Sequence, residues 1–167
     1  MTLMVAAVLT TVAVPSFTTL SLNSKRVSSI NELVTAMHFA RSSAVTRNAR
    51  ITVCTSSNGT ACEAVAWDRG WVIFSDDNSN QIVDVGETVF RSGSEVGDVS
   101  FVSTEFSNFF VYRPNGRVMA ALVTTNSGNF TFCDRRGAAY ARVVVIELAG
   151  RPRLSETMSD GSVPTCP

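Results

Sequence analysis

Gly150, Arg151, Pro152 and Arg153 form the segment of this sequence best equipped for binding chemistry. Gly150 permits a tight turn after a strand. Pro152 fixes one φ angle and stiffens the segment. Arg151 and Arg153 are two residues apart, so in an extended segment they project to one side. Two guanidinium groups so placed can engage successive phosphates. Such contacts position a nucleic-acid backbone without reading its sequence, and they weaken steeply with salt. Arg135 and Arg136 stand in another turn and would widen the patch if the fold brings them near. Glu147 and Glu156 flank the segment and oppose this reading, as does a net charge of zero from 14 basic and 14 acidic residues. Any attraction to nucleic acid or an anionic membrane must therefore be local. A hairpin with two solvated arginines accounts for the same residues.

A second polar segment is Asp76-Asp77-Asn78-Ser79-Asn80-Gln81-Ile82-Val83-Asp84-Val85-Gly86-Glu87. Asp76, Asn78, Asn80, Asp84 and Glu87 fall on the first, third, fifth, ninth and twelfth steps of a calcium loop. Gln81 stands where the sharp turn of such a loop demands glycine, and strand-like WVIF and TVF replace the expected flanking helices. A polar connection between strands explains the segment equally well, so the sequence assigns no metal and no cofactor. No catalytic constellation can be assembled either. His38 is the only histidine, reads as a helix residue, and lies near no nucleophile motif. Phosphate-cradling glycine loops are absent. Trp67, Trp71, Phe74 and Phe90 read as the core of a small β domain rather than a stacking platform.

Cys54, Cys62, Cys133 and Cys166 include no C-x-x-C pair, which with a lone histidine argues against zinc. An even count suits disulfides in an oxidising compartment, and Cys166 sits one residue from the chain end, where chains fray unless tied down. Cys54–Cys62 with Cys133–Cys166 is the preferred pairing. Four cysteines allow three pairings, and the sequence alone does not choose.

These residues need elements to position them. Residues 1–14 are almost wholly apolar, no charge precedes Lys25, and Pro15 follows the apolar run. Val27, Ile30, Leu33, Val34, Met37, Ala40, Ala44 and Val45 then recur at helical steps, with Lys25, Arg26, Asn31, Glu32, Arg41 and Arg47 largely off that face. One helix from Met1 to about Thr46, kinked at Pro15, would be roughly 70 Å long. Its first half has nothing in a small domain to bury it and needs a membrane or other helices. Beyond Asn48 the period changes. ITVC (51–54), AVAW (64–67), WVIF (71–74), TVF (88–90), VSFV (99–102), NFFVY (108–112), RVMAALV (117–123), NFTFC (129–133) and ARVVVIEL (141–148) read as strands divided by turn residues. The expected fold class is α+β, a long N-terminal helix packed on a mostly antiparallel β-sheet domain. Residues 1–27 would form the apolar anchor and 28–167 the globular domain.

The apolar start running into AVPSF, the helix segment HFARSSAVTRNARITVC, and the later WDRGWVIFSDDNSNQIVDVGETVFR, FVYRPNGRV and VVVIELAGRPR resemble the GspH/FimT group of pilin-like proteins over nearly the whole chain. The resemblance implies a pilin-like structural protein rather than an enzyme. Its partners would be other major and minor pilins in a helical filament. It would sit in the inner membrane as a single pass with a periplasmic domain, then in a pilus or pseudopilus. Gly150-Arg151-Pro152-Arg153 is similar to the GRxR motif of FimT-type minor pilins, which bind DNA during uptake by naturally competent bacteria. That implies double-stranded DNA as a partner for Arg151, Arg153, Gly150, Arg135 and Arg136. Members of the group begin with a leader cleaved after glycine, a methylated phenylalanine and an early glutamate. The resemblance thus implies coding sequence upstream of Met1, which sequencing of that DNA checks. Two other readings stay open. One is an assembly subunit without a ligand, either a priming minor pilin of the FimU type or a pseudopilin of the GspH type in type II secretion. The other is a secreted β protein with a signal cleaved near residues 14–16.

Overall fold

The computed structural model describes residues 2–120 and 126–167, with side-chain surroundings from residue 16 onward. Helix α1 spans Thr2–Arg47 and continues through Pro15. Among the described residues nine strands follow: β1 Ile51–Thr55, β2 Gly70–Ser75, β3 Val89–Ser94, β4 Val99–Val102, β5 Phe109–Tyr112, β6 Val118–Ala120, β7 Gly128–Asp134, β8 Arg142–Ile146 and β9 Pro152–Ser155. They form a five-stranded sheet in the order β3-β2-β1-β5-β6 and a four-stranded sheet in the order β4-β7-β8-β9. Every pairing is antiparallel. The long helix and antiparallel β domain expected from the sequence are both present.

The segment AVAW is not a strand. Its residues lie in a loop that ends in a short 3-10 turn, Trp67–Arg69. Trp67 is the reason: it is buried among Phe110 and Phe130, and its Nε1 donates to the Phe106 carbonyl at 2.7 Å. A strand ladder would not deliver the indole to that carbonyl. The predicted strand RVMAALV appears as β6, and its residues 121–123 lie outside the described residues. Strand β9 is an addition to those expected from the sequence.

One core joins helix and sheets. Ile30, Leu33, Ala36, Met37, Ala40 and Ala44 from α1 meet Ile51, Val53 and Phe110 from the first sheet and Phe101, Phe130 and Val144 from the second. The alanines recur on one helix face and let the sheets approach closely. The buried stripe differs from the expected one at its margins. Val27 and Val45 are 52% and 48% exposed, and Arg26 is buried instead. Each valine follows a stripe residue directly, so it is turned about 100° off the face.

Arg26 can be buried because it is paired. Asp134, at the end of β7, has a fully buried carboxylate. Arg26 Nη1 reaches its Oδ2 at 3.2 Å and also donates to the Tyr140 carbonyl. Arg136 grips both oxygens, Nε to Oδ1 at 2.9 Å and Nη2 to Oδ2 at 2.6 Å, and stands 4.2 Å from the Tyr140 ring centroid. Asn23 Oδ1 accepts from both arginines, at 3.2 and 2.9 Å. This network fastens the helix to the β7–β8 turn.

Each outer sheet face is covered by irregular chain, fastened by a disulfide. Cys54–Cys62 ties the loop after β1 to the first sheet, and Cys133–Cys166 ties the C-terminal segment to the second. The preferred pairing is the observed one. Alternate residues of β7 hold the C-terminal segment: Asn129 Oδ1 accepts from the Ser159 N–H at 2.9 Å, Thr131 Oγ1 lies 3.5 Å from Met158 Sδ, and Cys133 carries the disulfide.

Hydrogen bonds from Arg136 hold the Asp134 carboxyl below the usual carboxylate range. A depressed folded value means that its stabilisation is complete above the ordinary aspartate pKa and is lost as pH falls through the depressed one. Asp134→Ala leaves two guanidinium groups without their carboxylate and should cost about 3–5 kcal/mol. Urea unfolding at neutral pH measures this, and the difference from wild type should shrink in acid.

Candidate nucleic-acid interface

The turn between β8 and β9 carries Gly150 and Arg151. Gly150 has φ +70° and its N–H donates to the Glu147 carbonyl at 2.7 Å. A Cβ here would overlap the Gly116 carbonyl oxygen and come 2.9 Å from Tyr112 Cε1. Gly150 is therefore required twice, for its backbone angle and for the close approach of the β5–β6 turn. Tyr112 Oη donates to the Gly150 carbonyl at 3.1 Å, and burial pushes its phenol far up, so it stays a neutral donor. Arg41 of the helix completes the lock: its Nε donates to the Gly116 carbonyl at 3.1 Å and the Ala149 carbonyl at 3.2 Å. Helix, β5–β6 turn and β8–β9 turn meet at this point.

Arg151 emerges from the locked turn into solvent, with no ion pair among the described residues. Arg153 lies opposite Val145 in the β8–β9 ladder, and its Nε donates to Glu147 Oε1 at 3.1 Å. The flanking glutamate thus occupies one of the two arginines. Glu156 faces elsewhere, 3.4 Å from Arg142 Nη2.

Arg135 and Arg136 are not brought into this patch. Their turn lies at the start of β8, and the Gly150 turn at its end, so roughly 16 Å of strand separates them. Arg136 is held by Asp134, while Arg135 is exposed beside Asp98. The fold supplies a different neighbour. Arg117 is exposed on the β5–β6 turn, directly after the Gly116 that packs on Gly150. Pro114-Asn115-Gly116 is legible as a turn, but no sequence signal indicates that it meets Gly150, 34 residues further on.

The calcium-like segment forms the β2–β3 connection. His38 is exposed, and Trp67, Trp71 and Phe74 are buried, with Phe90 half-buried. Among the described residues, no three histidine, cysteine or acidic side chains are gathered to hold a metal ion. No helix in them is long and apolar enough to cross a membrane.

The long helix on two antiparallel sheets, with both outer faces covered by stapled chain, is a pilin-like architecture. Solved structures share it. The type IV minor pilin FimU of Pseudomonas aeruginosa matches with TM-score 0.59 at 19% identity, over 84% of this chain and 94% of that one. A second crystal form of FimU gives 0.58 at 19% identity, over 80% and 97%. The minor pseudopilin EpsH from the type 2 secretion system of Vibrio cholerae gives 0.53 at 8% identity, over 78% and 96%. A search of curated protein sequences gave no match. The family model for the type II transport protein GspH matches residues 29–150, and the chain belongs to that family. It is a family of minor pilins and pseudopilins, structural proteins rather than enzymes, which assemble with other pilins from a membrane-anchored state.

Gly150→Ala should destabilise the protein by more than the roughly 1–2 kcal/mol of a left-handed non-glycine residue, because the Gly116 turn must also move. Thermal unfolding measures the loss. A cost no larger than that of the backbone angle would mean the two turns are not locked together.

Proposed function

We propose that this chain is a minor pilin of a type IV pilus that captures double-stranded DNA through its backbone, with Arg151 as the principal contact. The observation that carries the reading is the build of the Gly150 turn. Tyr112, Arg41 and Gly116 hold it rigid, and it presents Arg151 without a partner among the described residues. Rigid presentation lowers the ordering cost of binding. Arg153 adds to the contact once DNA phosphates compete with Glu147, and Arg117 extends the positive surface on the adjoining turn. Residues 1–27 would anchor the subunit in the inner membrane and then pack among other pilin helices. Phe17 and Leu20 lie exposed on that part of the helix and would gain cover there. Residues 28–167 would face the periplasm, where the disulfides form.

A second reading is favoured by the Arg153–Glu147 pair, which neutralises half of the motif. On that reading the chain is an assembly subunit without a ligand, of a pilus or a type II secretion pseudopilus.

The two readings separate by experiment. Under DNA capture, full-length protein in detergent micelles binds duplex DNA, and affinity falls as salt rises. Arg151→Ala should weaken binding more than Arg153→Ala, each by roughly 10–150-fold, in the range of a charge-assisted hydrogen bond. Glu147→Gln should strengthen it by releasing Arg153. Absence of binding at low salt, or binding indifferent to Arg151, favours the assembly subunit.

A further inference from the structure

The β2–β3 connection, residues 76–88, plays no part in the arginine site, yet its polar atoms are arranged with unusual regularity. Asp76, Asn78, Asn80, Asp84 and Glu87 keep the oxygen-bearing steps of a calcium loop, and no basic residue interrupts them. The sixth step calls for glycine because the chain turns there with positive φ. Gln81 occupies that step and has φ +60°. The turn is made despite the side chain. Val83, between the fifth and ninth steps, packs on Cys54, Val72 and Phe74 on the outer face of the first sheet. The loop is thereby draped over that face.

A further sign of a ligand lies at the first step of the loop. Asp76 is fully buried. Thr52 Oγ1 donates to its Oδ2 at 2.6 Å, and its Oδ1 has no hydrogen-bond partner. Thr52 stands opposite Phe74 in the ladder, so the hydrogen bond from Thr52 to Asp76 lies on the face that the loop covers. A buried carboxylate oxygen without a donor is costly, and a cation resolves the cost. Above it the loop closes on its own N–H groups. Asp84 Oδ2 accepts from Asn78 Nδ2 and Asn80 Nδ2, both at 2.7 Å. Glu87 accepts from the Asp77 and Asp84 backbone N–H groups at 3.0 and 3.1 Å. Amide donors thus hold the positions around Asp84 that a cation would take. The carboxylates are not yet gathered about one point, so binding must turn the two amides and draw in Glu87.

We propose that the β2–β3 loop binds a hard divalent cation of the calcium class, with Asp76, Asn78, Asn80, Asp84 and Glu87 as its side-chain oxygen ligands. Many flexible oxygen donors suit Ca2+ better than Mg2+, which demands a near-ideal octahedron. Its affinity falls in the range of extracellular modules, roughly 10−4 to 10−3 M.

The test uses full-length protein in detergent micelles, stripped with a chelator and titrated with CaCl2 or MgCl2 by calorimetry, alongside thermal unfolding. Saturable Ca2+ binding, a higher Tm with Ca2+ and a weaker response to Mg2+ are expected. Asp84→Asn and Glu87→Gln should each weaken Ca2+ binding at least tenfold, while Asp77→Asn, an exposed residue off the ligand steps, leaves it unchanged. Hydrogen exchange of the wild type should show Ca2+-dependent protection at residues 76–88, which locates the site even if a variant fails to fold. No saturable Ca2+ binding up to roughly 10 mM, well above the weakest such sites, overturns the proposal. So do equal Mg2+ binding, or Ca2+ protection confined to other residues.

Discussion

Both sheets are built on one helix face. Ile30, Leu33, Ala36, Met37, Ala40 and Ala44 touch a core drawn from both, and among the described residues the sheets share no strand pairing with each other. Their relative placement therefore depends on the helix and on the aromatic cluster beneath it. Phe130 is central to that cluster, with ring contacts to Trp67, Phe101, Phe106 and Phe110. Buried apolar area supplies the driving force. The Arg26–Asp134–Arg136 network sets where along the helix the second sheet sits, because a buried charge tolerates little displacement from its partner.

The same packing builds the arginine site. Arg41 lies one residue beyond Ala40, so it leaves the core face at the edge of the sheets and reaches the Gly116 and Ala149 carbonyls. Tyr112, at the end of β5, meets Gly150 from beneath. The helix and the β5–β6 region, far apart in sequence, thus converge on the β8–β9 turn that carries the exposed Arg151. The β2–β3 loop depends on the first sheet in a similar way, through Val83 and the buried Asp76.

Much of this architecture was legible in the residues. Helical steps between Ile30 and Ala44 mark a face wherever the helix is placed, and runs such as WVIF and NFTFC favour strands through side-chain shape. The strand error at AVAW has a local cause: Trp67 follows a hydrogen bond to a distant carbonyl rather than the propensity of its neighbours. The burial of Arg26 was hidden for a related reason, since its partner Asp134 is 108 residues away.

The sequence by itself determined the long helix, the β domain, the disulfide-ready cysteines and the Gly-Arg-Pro-Arg turn, because each rests on local periodicity, spacing or backbone chemistry. Only the tertiary structure decided which arginines lie near one another and which are held in ion pairs. It set Arg117 beside Gly150, paired Arg153 with Glu147, and engaged Arg136 in the helix clamp. It also showed that Gln81 adopts the glycine-like angle and that Asp76 is buried with a bare oxygen. Pairing across the fold depends on strand register and on how two turns pack, and neither is a property of any short run of residues.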